Sequence, residues 1–311
     1  MGGLFLFNKP LGVSSAGFLN RLKSAFVKTT ADKVGHGGTL DPFASGLLVV
    51  GVGREYTKQL HDILKNTNKK YLAKIILGAG SSTDDITGEI VKTEIRKFPS
   101  RKEIEKTVKE IQKRKTQIPP KFSAIKIKGK PAYELSRKGM GFSMKEKEVS
   151  LIDYRIISVN ESENGAVLEV EMKVSAGFYV RSFARDLGEV LGTGGYVEEL
   201  IRTGIGEFDL KRALEPGDLD QKIELYFKAS GDVQRVGFRY FASKIALELA
   251  ITGFTRNLVP SSVEVVGQGK LAILERFLDV LKKGPDTAKM DTFSAYFRKP
   301  EVEFNSFTVS E

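Results

Sequence analysis

The apolar positions of this chain come in short runs separated by glycine, proline and polar turns, the pattern of a mixed α and β protein. Residues 3–8 read as an opening strand that Lys9-Pro10 stops. Ser14 or Ser15 can cap a helix over about 16–26, with Phe18, Leu22 and Phe26 on one face. Leu47-Leu48-Val49-Val50 reads as a buried strand ending at Gly51, and 55–65 as a helix whose apolar side is Leu60, Ile63 and Leu64. Residues 69–77 alternate like a strand. Ser100 and Glu103 form a capping box for a helix over 100–114. Residues 149–159 and 167–174 read as paired strands, and a helix runs from Arg181 to about Leu191. Glu215-Pro216-Gly217-Asp218 marks a boundary. Beyond it the pattern reads strand (223–228), helix (240–251), two strands, helix (271–283), strand, the order of a ferredoxin-like α/β sandwich.

Composition narrows the chemistry. With 311 residues the chain can build two cores. It has no cysteine, which excludes disulfides, thiolate catalysis and cysteine zinc clusters. No apolar run reaches membrane-spanning length and none reads as a signal peptide, so the expectation is a soluble cytoplasmic protein; a monomer is the expected state. The net charge is +10. Residues 1–221 hold 36 basic and 28 acidic side chains (+8), and residues 222–311 hold 13 and 11 (+2). The basic excess therefore lies in the first part, where a polyanion would bind.

The stretch Lys33 to Gly51, KVGHGGTLDPFASGLLVVG, is the densest in chemistry. Three glycines free the backbone and Pro42 biases Asp41 toward an extended conformation, so a stiff turn presents one carboxylate ahead of a core strand. On spacing alone, a turn aspartate capping its own backbone is the favoured reading over a catalytic group. The ten residues Gly37-Gly38-Thr39-Leu40-Asp41-Pro42-Phe43-Ala44-Ser45-Gly46 resemble the catalytic motif of the TruB family of tRNA pseudouridine synthases.

Further segments carry the same resemblance over about residues 3–210. Lys9-Pro10-x-Gly12-x-Ser14-Ser15 is similar to the family's opening segment, and Lys70-Tyr71 to the strand whose tyrosine packs on the target base. Ser82-Thr83-Asp84-x-x-Thr87-Gly88 is similar to a family turn and is assigned no chemistry. Gln117-x-Pro119-Pro120-x-x-Ser123-Ala124-x-Lys126-x-Lys128-Gly129 and Ser175-x-Gly177-Phe178-Tyr179-Val180-Arg181-Ser182 also resemble family segments, with Phe178 in place of the usual threonine. The resemblance implies a flipped uridine, Asp41 as nucleophile, Arg181 paired with it, and Tyr71 stacked on the uracil. His36 and Tyr179 would meet the RNA, while Lys121, Lys126 and Lys128 would contact phosphates. No cofactor or metal is implied.

In the last 90 residues, Gly231-Asp232-Val233-Gln234-Arg235-Val236-Gly237-Phe238-Arg239 resembles the acylphosphatase signature, and Gly253-Phe254-Thr255-Arg256-Asn257 its second signature. Arg239 would grip a phosphate and Asn257 would orient the attacking water. Arg235 and Ser261 replace glycines, and a left-handed backbone at Arg235 would be strained.

The fold expected is α+β: a mixed-sheet pseudouridine synthase catalytic domain (1–213), a linker (214–221) and an acylphosphatase-like ferredoxin-like sandwich (222–311). The expected partners are the T-arm of tRNA and a small acyl phosphate, with no membrane. The competing class is an RNA-binding or tRNA-folding protein whose C-terminal domain is a non-catalytic binding module.

Overall fold

A computed structural model describes residues 2–26, 33–65, 67–95, 97–127, 129–162 and 165–310. In chain order its main elements begin with β1 (Gly3–Lys9), α1 (Ser15–Phe26), β2 (Val34–Gly37), β3 (Ala44–Val52) and α2 (Arg54–Lys65). Next come β4 (Lys69–Leu77), α3 (Arg101–Gln112), α4 (Ala132–Arg137), β5 (Leu151–Ser162), β6 (Gly165–Val174), α5 (Val180–Leu191) and β7 (Gly195–Ile205). The last part holds β8 (Lys222–Asp232), α6 (Phe238–Glu248), β9 (Thr252–Leu258), β10 (Ser262–Lys270), α7 (Leu271–Leu281), β11 (Lys289–Arg298) and β12 (Phe307–Val309). Among the described residues no helix is long and apolar enough to cross a membrane.

These elements form two compact units: residues 1–41, 46–64 and 208–311 make the first, and 42–45 with 65–207 the second. The units do not follow the division of the chain at 214–221, because the N-terminal elements pack with the C-terminal ones. In the first unit β1 runs antiparallel to β3, from Gly3 opposite Val52 to Lys9 opposite Gly46. On its other edge β1 lies parallel to β11. The strand order then continues β11-β8-β10-β9-β12. Helices α6 and α7 contribute buried Phe238, Ala242, Ala246, Leu274, Phe277 and Leu278. Leu214 is fully buried and donates to the Leu6 carbonyl while its own carbonyl accepts from Asn8. The segment read as a linker is therefore anchored at its first residue.

In the second unit the strand order is β5-β6-β4-β7. β4 pairs antiparallel with β6 (Tyr71 opposite Met172) and with β7 (Tyr71 opposite Arg202). Helix α3 starts at the capping box: Ser100 accepts from the Glu103 amide and Glu103 accepts from the Ser100 amide. Helix α5 ends at Gly192 in the left-handed conformation, φ 69°, which glycine reaches without a Cβ penalty.

Candidate active sites

Asp41 lies in the loop joining β2 to β3. Gly38 in that loop has φ 67°. A Cβ on Gly37 would fall 1.9 Å from Leu64 Cδ1, so glycine is what lets α2 pack against β2. The residue before the aspartate is pinned from α1. The buried Ser15 hydroxyl donates to the Leu40 carbonyl and accepts from the Leu40 amide, both at 2.9 Å. The sequence offers Ser15 as a helix cap within a family-like opening segment; in the structure the turn is held through it. Lys9 is fully buried, and its ammonium donates to the carbonyls of Pro10 (2.8 Å) and Val13 (2.7 Å), which fixes the loop that leads into α1. His36 stands on β2 opposite Val50.

Arg181 is in the first turn of α5 and buried, in the second unit. Its guanidinium lies 3.1 Å from the Asp85 carboxylate, and it also donates to the carbonyls of Phe122 (3.0 Å) and Thr83 (3.3 Å). Asp85 in turn accepts from Thr83 Oγ1 (2.7 Å) and the Thr87 amide (3.0 Å). The turn to which the sequence reading gave no chemistry thus supplies the carboxylate that orients Arg181. Next to it, Arg185 pairs with Asp84 at 3.1 Å. Burial pushes the Asp84 carboxyl above the usual range, against the opposing pull of Arg185 and Arg181.

The segment after α3 is strapped along the same helix. Gln117 accepts from the Tyr179 amide and donates to the Tyr179 carbonyl (3.0 and 3.3 Å), and the Ile118 carbonyl accepts from Ser182 and Arg185 (both 2.8 Å). Pro119-Pro120 follows with no N–H to satisfy. Tyr179 precedes the helix, half-buried. Tyr71 is half-buried on β4 and shares a groove of about 410 Å³ with Lys70, Arg155 and Lys173. Lys121 and Lys126 are exposed, and Arg137 stacks over Tyr133 at 5.7 Å nearby. Lys128 lies outside the described residues.

The second candidate site is the loop between β8 and α6. Gly231 (φ 128°), Arg235 (φ 61°) and Gly237 (φ 81°) turn it into the helix N-terminus. Arg235 adopts the left-handed conformation expected of the glycine it replaces. Gln234 ties the loop to the β9–β10 hairpin by donating to the carbonyls of Leu258 (2.9 Å) and Ser262 (2.8 Å). Arg239, in the first turn of α6, donates to the Ser310 carbonyl at 2.8 Å. Asn257 stands on β9 with its Oδ1 buried and without a hydrogen-bond partner among the described residues.

A fixed aspartate turn, a buried arginine at a helix start and a phosphate-type loop in one chain have counterparts in known families. Residues 26–180 match the N-terminal domain of the TruB family of pseudouridylate synthases, and 181–236 the C-terminal domain of tRNA pseudouridylate synthase B. Residues 225–309 match acylphosphatase. The class is therefore an RNA-modifying isomerase that carries an acylphosphatase domain. The tRNA pseudouridine synthase B of Ureaplasma urealyticum is 40% identical over 213 residues, 68% of this chain and 90% of that protein. That of Bacteroides fragilis is 35% identical over 226 residues, covering 72% and 94%. Among solved structures, one of a Cbf5-Nop10-Gar1 complex aligns with TM-score 0.51 and 27% identity over 70% of this chain; the chain spans about half (53%) of that one. The chain belongs to the TruB family of tRNA pseudouridine synthases.

Proposed function

We propose that the substrate is a uridine in the T-loop of tRNA, the position-55 class, and that Asp41 is the nucleophile. The uridine leaves the stack and enters the pocket. The Asp41 carboxylate attacks the ribose or the pyrimidine ring, the glycosidic bond breaks and the base turns; carbon 5 then bonds to the ribose, the bond to Asp41 breaks and returns the carboxylate, and the freed ring nitrogen takes up a proton. The proton on carbon 5 is lost as the ring regains aromaticity, with Tyr71 stacked on the base and assisting its removal. Arg181 holds the nucleophile ionised. His36 and Tyr179 meet the displaced loop nucleotides, and Lys121, Lys126 and Lys128 contact phosphates, which adds affinity without reading sequence. A monomer in the cytoplasm, where tRNA is modified, fits this reading.

The observation that carries it is the double hydrogen bond from Ser15 to Leu40, which immobilises the residue before Asp41. A turn aspartate of no function needs no such clamp, whereas a nucleophile that must meet a flipped base does. Single-turnover pseudouridine formation on a tRNA transcript tests it: wild type forms product and Asp41→Asn forms none. Product from Asp41→Asn would remove Asp41 from the mechanism. Tight, salt-sensitive tRNA binding with no product from either protein would favour an RNA-folding role.

A second activity belongs to residues 222–311, joined to 1–213 through 214–221. We infer that this part hydrolyses small acyl phosphates. Arg239 binds the phosphoryl group and Asn257 orients water, a use for its buried Oδ1, which has no hydrogen-bond partner among the described residues. Hydrolysis of benzoyl phosphate by wild type and its loss in Asn257→Ala would support this; no hydrolysis by wild type would leave a non-catalytic domain.

A further inference from the structure

The first unit joins segments from opposite ends of the chain. Strand β1 is buried at Gly3, Leu4, Phe5, Leu6, Phe7 and Lys9, and β3 fills only one of its two edges. The other edge is taken by β11, with Phe5 opposite Phe297. The rings of Phe5 and Phe297 stack with centroids 4.6 Å apart, and Phe26 of α1 packs on Phe5 at 5.0 Å. A Cβ on Gly3 would sit 2.4 Å from the Phe297 ring. The pairing therefore depends on a glycine at residue 3.

Two polar clamps flank this seam. Lys282, after α7, pairs with Glu55 of α2 at 2.8 Å and lies 5.4 Å from the Tyr56 ring centroid. On the other side Glu224 of β8 is buried and accepts from Arg212, Arg298 and Gln268. Arg212 also pairs with Glu301 at 2.7 Å, its Nε donates to the Lys299 carbonyl at 2.9 Å, and its own carbonyl accepts from the Lys299 amide at 2.8 Å. The family matches meet in the same place: the synthase C-terminal match runs to 236 and the acylphosphatase match starts at 225, so the part of β8 from residue 225 onward falls within both.

We propose that the acylphosphatase domain has a second, structural function: it is the sheet partner of synthase strand β1. Its edge strand β11 covers the open edge of β1, β1 pairs with β3, and the loop entering β3 carries Asp41. An open, apolar strand edge is a template for aggregation, and a domain seated on it closes that edge. The C-terminal domain and the N-terminal strands then fold and unfold as one cooperative unit. This rests on the synthase reading only where synthase activity is the readout.

The test uses the full chain in a urea series, with hydrogen exchange read separately over residues 3–9 and 222–298 and with pseudouridine formation measured alongside. One unit predicts that both regions lose protection, and activity disappears, at the same urea concentration. In Phe297→Ala, which removes the ring stacked on Phe5, both regions shift to lower urea together, with the folded-to-unfolded ratio falling by roughly 150- to 5,000-fold. If that variant does not fold, Lys282→Met, which breaks the pair with Glu55, serves in its place with a smaller joint shift. Loss of protection over 222–298 while 3–9 stays protected, or the reverse, overturns the proposal. So does a variant that shifts only one region. Because hydrogen exchange is read without RNA, a protein that forms no pseudouridine still decides the matter.

Discussion

Arg181 and Asp85, 96 residues apart in sequence, form an ion pair at 3.1 Å with 4% of either side chain exposed. A buried guanidinium is costly unless its charge and its N–H groups are matched, and here Asp85 and two backbone carbonyls match them. Removing the carboxylate charge takes from the buried Arg181 its ion pair at 3.1 Å. Asp85→Asn is expected to lower stability by about 3–5 kcal/mol. The arginine, no longer held, loses its aim, and the single-turnover rate of pseudouridine formation falls roughly 100-fold. The checks are a urea midpoint and a rate measured at a temperature where the variant is folded. A normal rate in folded Asp85→Asn would separate the ion pair from catalysis.

Ser15 gives a second prediction. Ser15→Ala leaves the Leu40 amide and carbonyl without the two bonds at 2.9 Å. Each buried backbone group left unpaired costs about 1–3 kcal/mol. The loop before Asp41 loosens, so kcat drops while KM for tRNA, set by contacts elsewhere, changes little. Steady-state kinetics on a tRNA transcript distinguish this from a change in binding, which would move KM instead.

What could be read from the sequence, and what could not, follows from the range of the forces involved. Strand 69–77 was legible because its apolar positions alternate, and the structure places β4 on those residues. The helix after Ser100 was legible because a capping box is a local, four-residue device. Strand β7 was not read, although it is 11 residues long. Its pairing with β4 slips between Val197 and Glu199 and again between Arg202 and Gly204, so its side chains do not keep a period of two. Asp85 was passed over because its neighbours in sequence are those of an ordinary turn; only the fold brings Arg181 to it. Glu215-Pro216-Gly217-Asp218 has the composition of a boundary, yet Leu214 beside it is bonded to both Leu6 and Asn8. Local composition does not report which distant backbone a segment meets.

Arg235 tests the balance between strain and function. Its φ of 61° is costly for a residue with a Cβ, by about 1–2 kcal/mol, and glycine occupies that region freely. Arg235→Gly relieves the strain but adds freedom to the unfolded chain, so the net gain is about 0.5–1 kcal/mol. A rise in the midpoint of thermal unfolding is expected. A fall would mean that the Arg235 side chain makes a contact worth more than the strain.

Glu275 sets a pH dependence. It lies on α7 among buried Leu274, Phe277 and Leu278, only 2% exposed, and its Oε2 has no hydrogen-bond partner among the described residues. Burial pushes its carboxyl above the usual glutamate range, and the charge of Asp279 adds to the shift. For a carboxyl raised on folding, the folded state keeps a proton that the unfolded state has already released. Over that window stability falls as pH rises, and above the folded pKa the full penalty of a buried charge applies. Glu275→Gln removes the titration and keeps the shape. Its thermal midpoint is therefore expected to exceed that of the wild type at pH 8, with the gap narrowing or vanishing toward pH 4. A gap that is constant between pH 4 and pH 8 would show that the substitution acts through packing and that Glu275 does not titrate in the folded protein.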